Sequence, residues 1–208
     1  MTLTIEDVSV RRGGRVVIDG VTLAVDAQQI VGVVGKNGCG KTTLLMSVAG
    51  VLAPRRGRIT VAGASVWGGH GERLRARRAL GYVPEAADPP GFLLGGELWA
   101  LVAATRGCGP PTAELREALG LDELREAAIE RMSLGQRRRA CLGAALMGPP
   151  ELLVLDEPDN GLDSKRLDAL VALLKAHAAA GGACILASHD AALLDELGAT
   201  TFALRAAE

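Results

Sequence analysis

One pattern constrains the fold of this chain more than any other feature. It is a glycine-rich stretch, Gly35–Thr42, that fits the spacing G-x-x-x-x-G-K-[ST]. A continuous apolar run, Ile30–Val34, precedes it and predicts a strand buried on both faces, and the apolar segment Thr43–Ala49 behind it predicts a helix. Glycines at this junction let consecutive backbone N–H groups turn inward, and the helix N-terminus adds its dipole. This order favours a loop that wraps phosphate groups over a plain glycine turn with a chance Lys-Thr pair.

The side chains at the end of this loop suit a nucleoside triphosphate. Lys41 would neutralise the β- and γ-phosphate oxygens, and Thr42 would offer its hydroxyl to magnesium. Cys39 either offers a thiol whose modification blocks nucleotide entry, or is a small residue of which only the backbone matters. The predicted nucleotide-binding residues here are Gly35, Lys36, Asn37, Gly38, Cys39, Gly40, Lys41, Thr42 and Thr43.

A second apolar run, Leu152–Leu155, ends in the two carboxylates Asp156 and Glu157. Parallel strands deliver such residues to the carboxyl edge of their sheet, where ligands bind. We expect Asp156 to hold the magnesium ion, directly or through water, and Glu157 to polarise the water that attacks the γ-phosphate. Two acidic residues closing a strand are common in isolation, so this prediction depends on the glycine-rich loop.

Composition narrows the class of protein. The chain has 208 residues, 49% of them apolar, and a net charge of −1. Nothing in this overall charge favours nucleic acid or an anionic surface as the main partner, and no nucleic-acid partner is expected. No apolar run reaches the roughly 18–20 residues that span a bilayer, and the N-terminus lacks the order of a secretion signal. The sequence therefore predicts a soluble, intracellular protein that meets a membrane only through a partner. Its four scattered cysteines are expected to be reduced thiols rather than disulfides or zinc ligands.

Strand patterns alternating with helix patterns predict an α/β fold, with a mainly parallel sheet covered on both sides. Two N-terminal stretches predict antiparallel strands, and residues 86–148 predict a helical subdomain inserted into one domain spanning 1–208. The predicted strands are Thr2–Val10, Val16–Val25, Ile30–Val34, Ile59–Val61, Leu80–Val83, Leu152–Leu155 and Ala183–Ala187. The predicted helices are Thr43–Ala49, Glu97–Thr105, Thr112–Leu119, Asp122–Ala128, Ser133–Met147 and Asp163–Ala180.

Four further motifs occur in the order that one family uses. Met132–Gln136 resembles the L-S-G-G-Q signature of ABC ATPases, which other P-loop enzymes lack. Gly81–Glu85 resembles that family's Q-loop, Asp159–Asp163 its D-loop, and Ser188–Asp190 the segment with its switch histidine. The resemblance covers Leu3 to Phe202, and five ordered motifs are far more specific than any one of them.

The resemblance implies a P-loop NTPase core that binds ATP and magnesium and hydrolyses ATP. Magnesium would be held by Thr42, Glu85 and Asp156, and His189 would contact the γ-phosphate beside Glu157. In this family two ATPase subunits pair head to tail, so each signature closes over the partner's γ-phosphate. The residues carried over for that contact are Ser133, Gly135, Gln136 and Asp163. Ser133 is also expected to cap the helix that follows it.

The sequence departs from the family pattern at three positions. Leu134 stands where the first signature glycine usually lies, and Glu85 replaces the Q-loop glutamine. Arg12 takes the place of the adenine-stacking aromatic: its guanidinium can stack on adenine, or it is a solvated turn residue. Two other histidines, His70 and His177, are expected on the surface. The basic runs Arg73–Arg78 and Arg137–Arg139 are expected to face solvent.

Three functions compete for such a chain. The first is the ATP-driven motor of a membrane transporter, bound to a separate permease at the inner face of the cell membrane and paired with an identical or different ATPase subunit. The segment Val83-Pro84-Glu85, together with Glu157–Asp163, resembles bacterial exporters of drugs and antibiotics, and the short length resembles the haem-exporter ATPase of cytochrome c maturation. The second is a soluble ABC ATPase, for example of the iron–sulfur assembly type. The third, a binding-only module, is disfavoured because Lys41, Asp156, Glu157 and His189 are all present.

Overall fold

Two β-sheets form the framework of the molecule. The structure, a computed structural model, describes residues 1–207. The strands are β1 (Leu3–Arg12), β2 (Arg15–Val25), β3 (Ile30–Val34), β4 (Arg56–Val61), β5 (Ala64–Ser65), β6 (Leu80–Val83), β7 (Leu152–Asp156), β8 (Ala183–Ala187) and β9 (Thr200–Ala203). The helices are α1 (Lys41–Val48), α2 (His70–Ala79), α3 (Gly95–Arg106), α4 (Ala113–Leu119), α5 (Leu134–Leu146), α6 (Ser164–Ala179) and α7 (Ala191–Glu196).

The larger sheet is parallel throughout and has the strand order β6-β7-β8-β3-β9. Its central strands are apolar on both faces because both faces are covered. On β7, Leu153 and Leu155 pack into the core shared with helices α3 to α7. Leu152 and Val154, on the opposite face, pack into the core shared with α1 and the smaller sheet. The predicted α/β fold with a mainly parallel sheet is confirmed.

The smaller sheet is antiparallel, with the order β2-β1-β4-β5. A tight turn at Gly13 and Gly14, both with positive φ, joins β1 to β2 and pairs Arg12 with Arg15. The hairpin confirms the predicted N-terminal antiparallel strands. It also brings the end of β1 to the loop that follows β3.

The segment predicted as a helix at Asp122–Ala128 is not an α-helix. It begins with a short 3₁₀ turn, Asp122–Leu124, and a second 3₁₀ turn, Ile129–Arg131, follows it. The carbonyls of Arg125 and Ala127 instead accept the N–H groups of Gly96 and Gly95 at the start of α3, at 2.9 and 3.1 Å. The helical prediction was wrong because these backbone groups are used by a neighbouring helix terminus and cannot continue a helix of their own.

Two surface predictions were also wrong. His177 is buried at 9% exposure on the inner side of α6, where its Nε2 lies 3.3 Å from the carbonyl oxygen of Ala183. Burial lowers the pKa of this imidazole. Of the run Arg137–Arg139, expected to face solvent, Arg138 is completely buried. Helical phase points it at the sheet, which a count of charges cannot reveal. His70 and the four arginines of α2 are exposed, as predicted.

No helix among residues 1–207 is long and apolar enough to cross a membrane.

The side chain of Arg106 caps the C-terminal end of α5, and its replacement should destabilise the fold. Nη1 of Arg106 donates to the carbonyls of Ala144, Ala145 and Met147 at 3.2, 2.9 and 2.7 Å, and Nη2 donates to Leu80 at 2.9 Å. Arg106→Met keeps the apolar stem but leaves these acceptors unsatisfied, and we expect a loss of about 2–3 kcal/mol in the free energy of unfolding. Urea denaturation measures it.

The matched control is Arg75→Met, the same change at an exposed position on α2, which should alter the free energy of unfolding by less than about 0.5 kcal/mol. Equal stabilities of the two variants would show that the Arg106 contacts contribute nothing.

Candidate nucleotide site

A cleft of about 480 Å³ opens at the carboxyl edge of the parallel sheet. It is lined by Arg12, Val17, Asn37, Gly38, Gly40, Lys41, Thr42, Thr43, Glu85, Glu157 and His189. The loop between β3 and α1 contributes to its lining, and Gly40 is the N-cap residue of α1, which no side chain caps. Gly40 has φ 106°, and a Cβ there would come within 2.9 Å of the Val17 side chain. The uncapped helix start leaves N–H donors for an anion.

Lys41 stands at the start of α1 and is only 7% exposed. Its ammonium donates to the carbonyl oxygen of Gly35 at 3.0 Å, so the loop folds back over its own lysine. An ammonium has three donors, and this bond uses one of them. The positive charge is therefore held inside the loop, where it can meet phosphate oxygens.

Asp156 ends β7 and is 1% exposed. Burial raises the pKa of its carboxyl group, an effect that the Thr42 side chain and the charges of Arg138 and Lys41 oppose. Its Oδ2 atom is buried without a hydrogen-bond partner. An orphaned carboxylate oxygen next to a threonine hydroxyl is a set of donors that suits magnesium, which prefers oxygen ligands.

Glu157 has an unusual backbone, with φ 48° in the left-handed region. Its N–H donates to the carbonyl of Ala187 at 2.8 Å, which ties the start of the loop after β7 to the end of β8. One carboxylate oxygen accepts the N–H of His189 at 3.2 Å, and the other lies 3.3 Å from Nε2 of the same residue. Burial raises the pKa of Glu157, and its contacts with His189 work against that rise. The geometry gives a positioned carboxylate with a histidine beside it.

Arg12 and Glu85 both line this cleft. Both are exposed, Arg12 at the end of β1 and Glu85 two residues after β6. The cleft thus contains the residue predicted to meet adenine and the carboxylate predicted to meet magnesium. Val17, on β2, also lines it and was not predicted, because an isolated valine in a strand carries no signal for a ligand.

Three predicted loop residues do not line the cleft: Gly35, Lys36 and Cys39. Cys39 is 4% exposed and packs into the core beneath the loop. This arrangement agrees with the reading in which only the backbone of Cys39 matters. A thiol reagent would have little access to it in this conformation.

The signature residues lie outside the cleft as well. Ser133 caps α5: its Oγ accepts the N–H of Gln136 at 3.2 Å, and Gln136 Oε1 accepts the N–H of Ser133 at 2.8 Å. Gly135 packs so closely on the segment after β7 that a Cβ there would overlap the carbonyl oxygen of Gly161. Asp163 caps α6 by accepting the N–H of Arg166 at 2.9 Å. Within one chain these residues stabilise helix starts.

The chain is similar to known proteins in sequence and in fold. Over residues 18–160 the chain matches the sequence model of a family described as ABC transporter. The cytochrome c biogenesis ATP-binding export protein CcmA of Gluconobacter oxydans is 36% identical over 193 residues, covering 93% of this chain and 83% of the relative. The cobalt import ATP-binding protein CbiO of Rhodobacter capsulatus is 32% identical, covering 87% of this chain and 67% of the relative. A solved ATP binding subunit of an ABC transporter has a TM-score of 0.90 at 25% identity, covering 99% of this chain and 86% of that chain.

Proposed function

Because the chain belongs to the ABC transporter family and is an ATPase of that family, we propose that it drives export through a separate transmembrane permease. The observation that carries the proposal is the convergence of Lys41, Glu157 and His189 on one cleft, from the starts or ends of three different elements. A binding-only module would not need a positioned carboxylate and a histidine opposite the phosphate loop.

The residues of the cleft divide the work of ATP hydrolysis. Backbone N–H groups at the start of α1 and the ammonium of Lys41 hold the phosphates. The Glu157 carboxylate accepts a hydrogen bond from the attacking water and orients it, while His189, released from Glu157, contacts the γ-phosphate. Thr42, Asp156 and Glu85 are the residues that would hold magnesium, which supplies charge neutralisation on the phosphates when it is bound. Arg12 lines the same cleft, and in this proposal its guanidinium stacks on the base.

The active form in this proposal is a head-to-tail dimer. Support comes from the separation of the two halves of the predicted site: Ser133, Gly135, Gln136 and Asp163 do not line the cleft that holds Lys41 and Glu157. Ser133 and Gln136 cap the start of α5 within the chain, and in this proposal the same helix start meets a phosphate bound by another subunit. The partner is an identical or a different ATPase subunit.

Export is favoured over import by two observations. The relative with 36% identity is named an export protein, whereas the one with 32% identity is named an import protein. Glu85 also replaces the glutamine that importers normally carry at this position. Within export, the relative's name favours a role in cytochrome c biogenesis. The proposed location is the inner face of the cell membrane, reached through the permease.

Affinity purification of Glu157→Gln protein from its native membranes, with ATP present, tests this proposal. We expect a polytopic membrane protein in stoichiometric amount, because an ATP-trapped dimer should stay on its permease. The same purification with ADP in place of ATP is the control. Recovery of soluble partners alone would contradict the transporter proposal and favour a soluble ABC ATPase.

A further inference from the structure

The two strands that carry the acidic residues of the site separate where those residues begin. The parallel ladder of β6 and β7 runs from Leu80 and Leu152 to Val83 and Leu155 and stops there. Glu85 and Asp156 follow just beyond that point. The ladder therefore does not fix the backbone at Glu85 relative to Asp156, and another contact has to do so.

A single guanidinium makes that contact. Nη1 of Arg138 donates to the carbonyl oxygens of Pro84 at 2.8 Å and Asp156 at 3.2 Å, and Nη2 donates to that of Glu85 at 2.6 Å. The planar fork of an arginine can hold two backbone segments at once, which the point charge of a lysine cannot reproduce. Arg138 lies on α5, five residues after the signature serine, so it also links that helix to both segments.

Burying the charged side chain of Arg138 costs free energy, which its contacts have to offset. The residue has 0% exposure, and its Nε atom has no hydrogen-bond partner. In residues 1–207 no carboxylate lies within 4.0 Å of it to form an ion pair; Asp156, Asp159 and Glu85 balance its charge from further away. An apolar side chain of similar volume would often give a fold at least as stable. The guanidinium N–H groups of Arg138 donate to backbone carbonyls of the two segments that carry Glu85 and Asp156.

We propose that Arg138 is a positioning residue of the magnesium site, which sets the distance between the Glu85 and Asp156 carboxylates by holding the backbone of both. The inference rests on the proposed assignment of Glu85, Asp156 and Thr42 to magnesium. Residues that orient metal ligands without touching the metal typically change metal affinity roughly 10–100-fold when they are replaced. Arg138 acts through carbonyl groups and does not touch the nucleotide.

The test uses Arg138→Met and Arg138→Lys, each in the Glu157→Gln background so that ATP is not consumed. Mn²⁺ titrations followed by electron paramagnetic resonance, at saturating ATP, give the metal affinity. We expect the Mn²⁺ dissociation constant to rise roughly 10–100-fold in Arg138→Met and less in Arg138→Lys, which keeps one donor group. ATP affinity measured in excess chelator should stay within about twofold, since the phosphate loop is untouched.

Arg137→Met is the matched control, because Arg137 is the neighbouring residue on α5 and its side chain forms an ion pair with Asp88, at 3.9 Å, and no hydrogen bond to the backbone of Pro84, Glu85 or Asp156. Its Mn²⁺ affinity should equal that of the parent. Hydrogen exchange of residues 84–88 should accelerate in Arg138→Met and not in the control. If Arg138→Met does not fold, the Mn²⁺ affinity of Arg138→Lys is compared with that of the Arg137→Met control.

Two results would overturn the inference. One is an unchanged Mn²⁺ affinity in folded Arg138 variants. The other is an equal loss of metal-free ATP affinity, which would mean a general structural role. If the Glu157→Gln parent itself binds no Mn²⁺ with ATP, the proposed magnesium site fails and this inference fails with it. A parent that binds and variants that bind equally well contradict the role of Arg138 alone.

Discussion

Glu157→Gln should leave ATP bound while its hydrolysis slows roughly 10²–10⁴-fold, the range that a positioned general base contributes. The amide keeps the size of the side chain and can still accept the N–H of His189, now 3.2 Å from a carboxylate oxygen. It cannot take a proton from the attacking water. Steady-state phosphate release and equilibrium binding of ATP measure the two effects separately.

Glu151→Gln is the matched control for this change. Glu151 immediately precedes β7, the strand that Glu157 follows, but lies at the opposite end of it and is exposed. We expect its hydrolysis rate to match that of the unmodified protein. A Glu157→Gln enzyme that also hydrolyses ATP at the full rate would remove Glu157 from the role of base.

Lys41→Ala should weaken binding of ATP itself, roughly ten- to hundredfold. The lysine is 7% exposed and its ammonium lies inside the phosphate loop, 3.0 Å from the Gly35 carbonyl oxygen. A hydrogen bond to a charged group contributes about 1.5–3 kcal/mol, and 1.4 kcal/mol corresponds to a tenfold change in affinity. Isothermal titration with a non-hydrolysable ATP analogue gives the dissociation constant.

Lys175→Ala, an exposed lysine on α6 far from the loop in sequence, controls for the loss of one positive charge. Its affinity should not change. Far-ultraviolet circular dichroism shows whether Lys41→Ala retains the fold. A folded Lys41→Ala protein with unaltered affinity would exclude Lys41 from the phosphate site.

The sequence predicts the centre of the site well because strand ends are determined by local pattern. Ile30–Val34 and Leu152–Leu155 are runs that have to be buried, so the residues after them meet at one edge of the sheet. The same pattern predicts that Lys41, Glu157 and His189 lie together, and all three line the cleft. The predicted limits of α1, α3, α4, α5 and α6 agree with the structure to within two residues, whereas the bounds of α2 and α7 were not predicted.

What the sequence did not reveal depends on how helices are rotated about their axes. Polar side chains on a helix usually face solvent, but the side chains of Arg138 and His177 are buried against the rest of the fold. The stretch after Leu124 has helical propensity, yet its carbonyls serve the start of α3. Val17 reaches the cleft only because the hairpin folds over Gly40. Each of these depends on tertiary contacts between distant segments.

The left-handed backbone at Glu157 implies a trade-off at this position between the stability of the fold and the rate of ATP hydrolysis. A residue with a Cβ gives up about 1–2 kcal/mol to hold φ 48°, and glycine or asparagine would accept that conformation more readily. Laboratory selection for heat resistance alone would therefore tend to replace a side chain that the proposed hydrolysis requires. Any engineered version of this domain has to gain its robustness elsewhere and leave position 157 untouched.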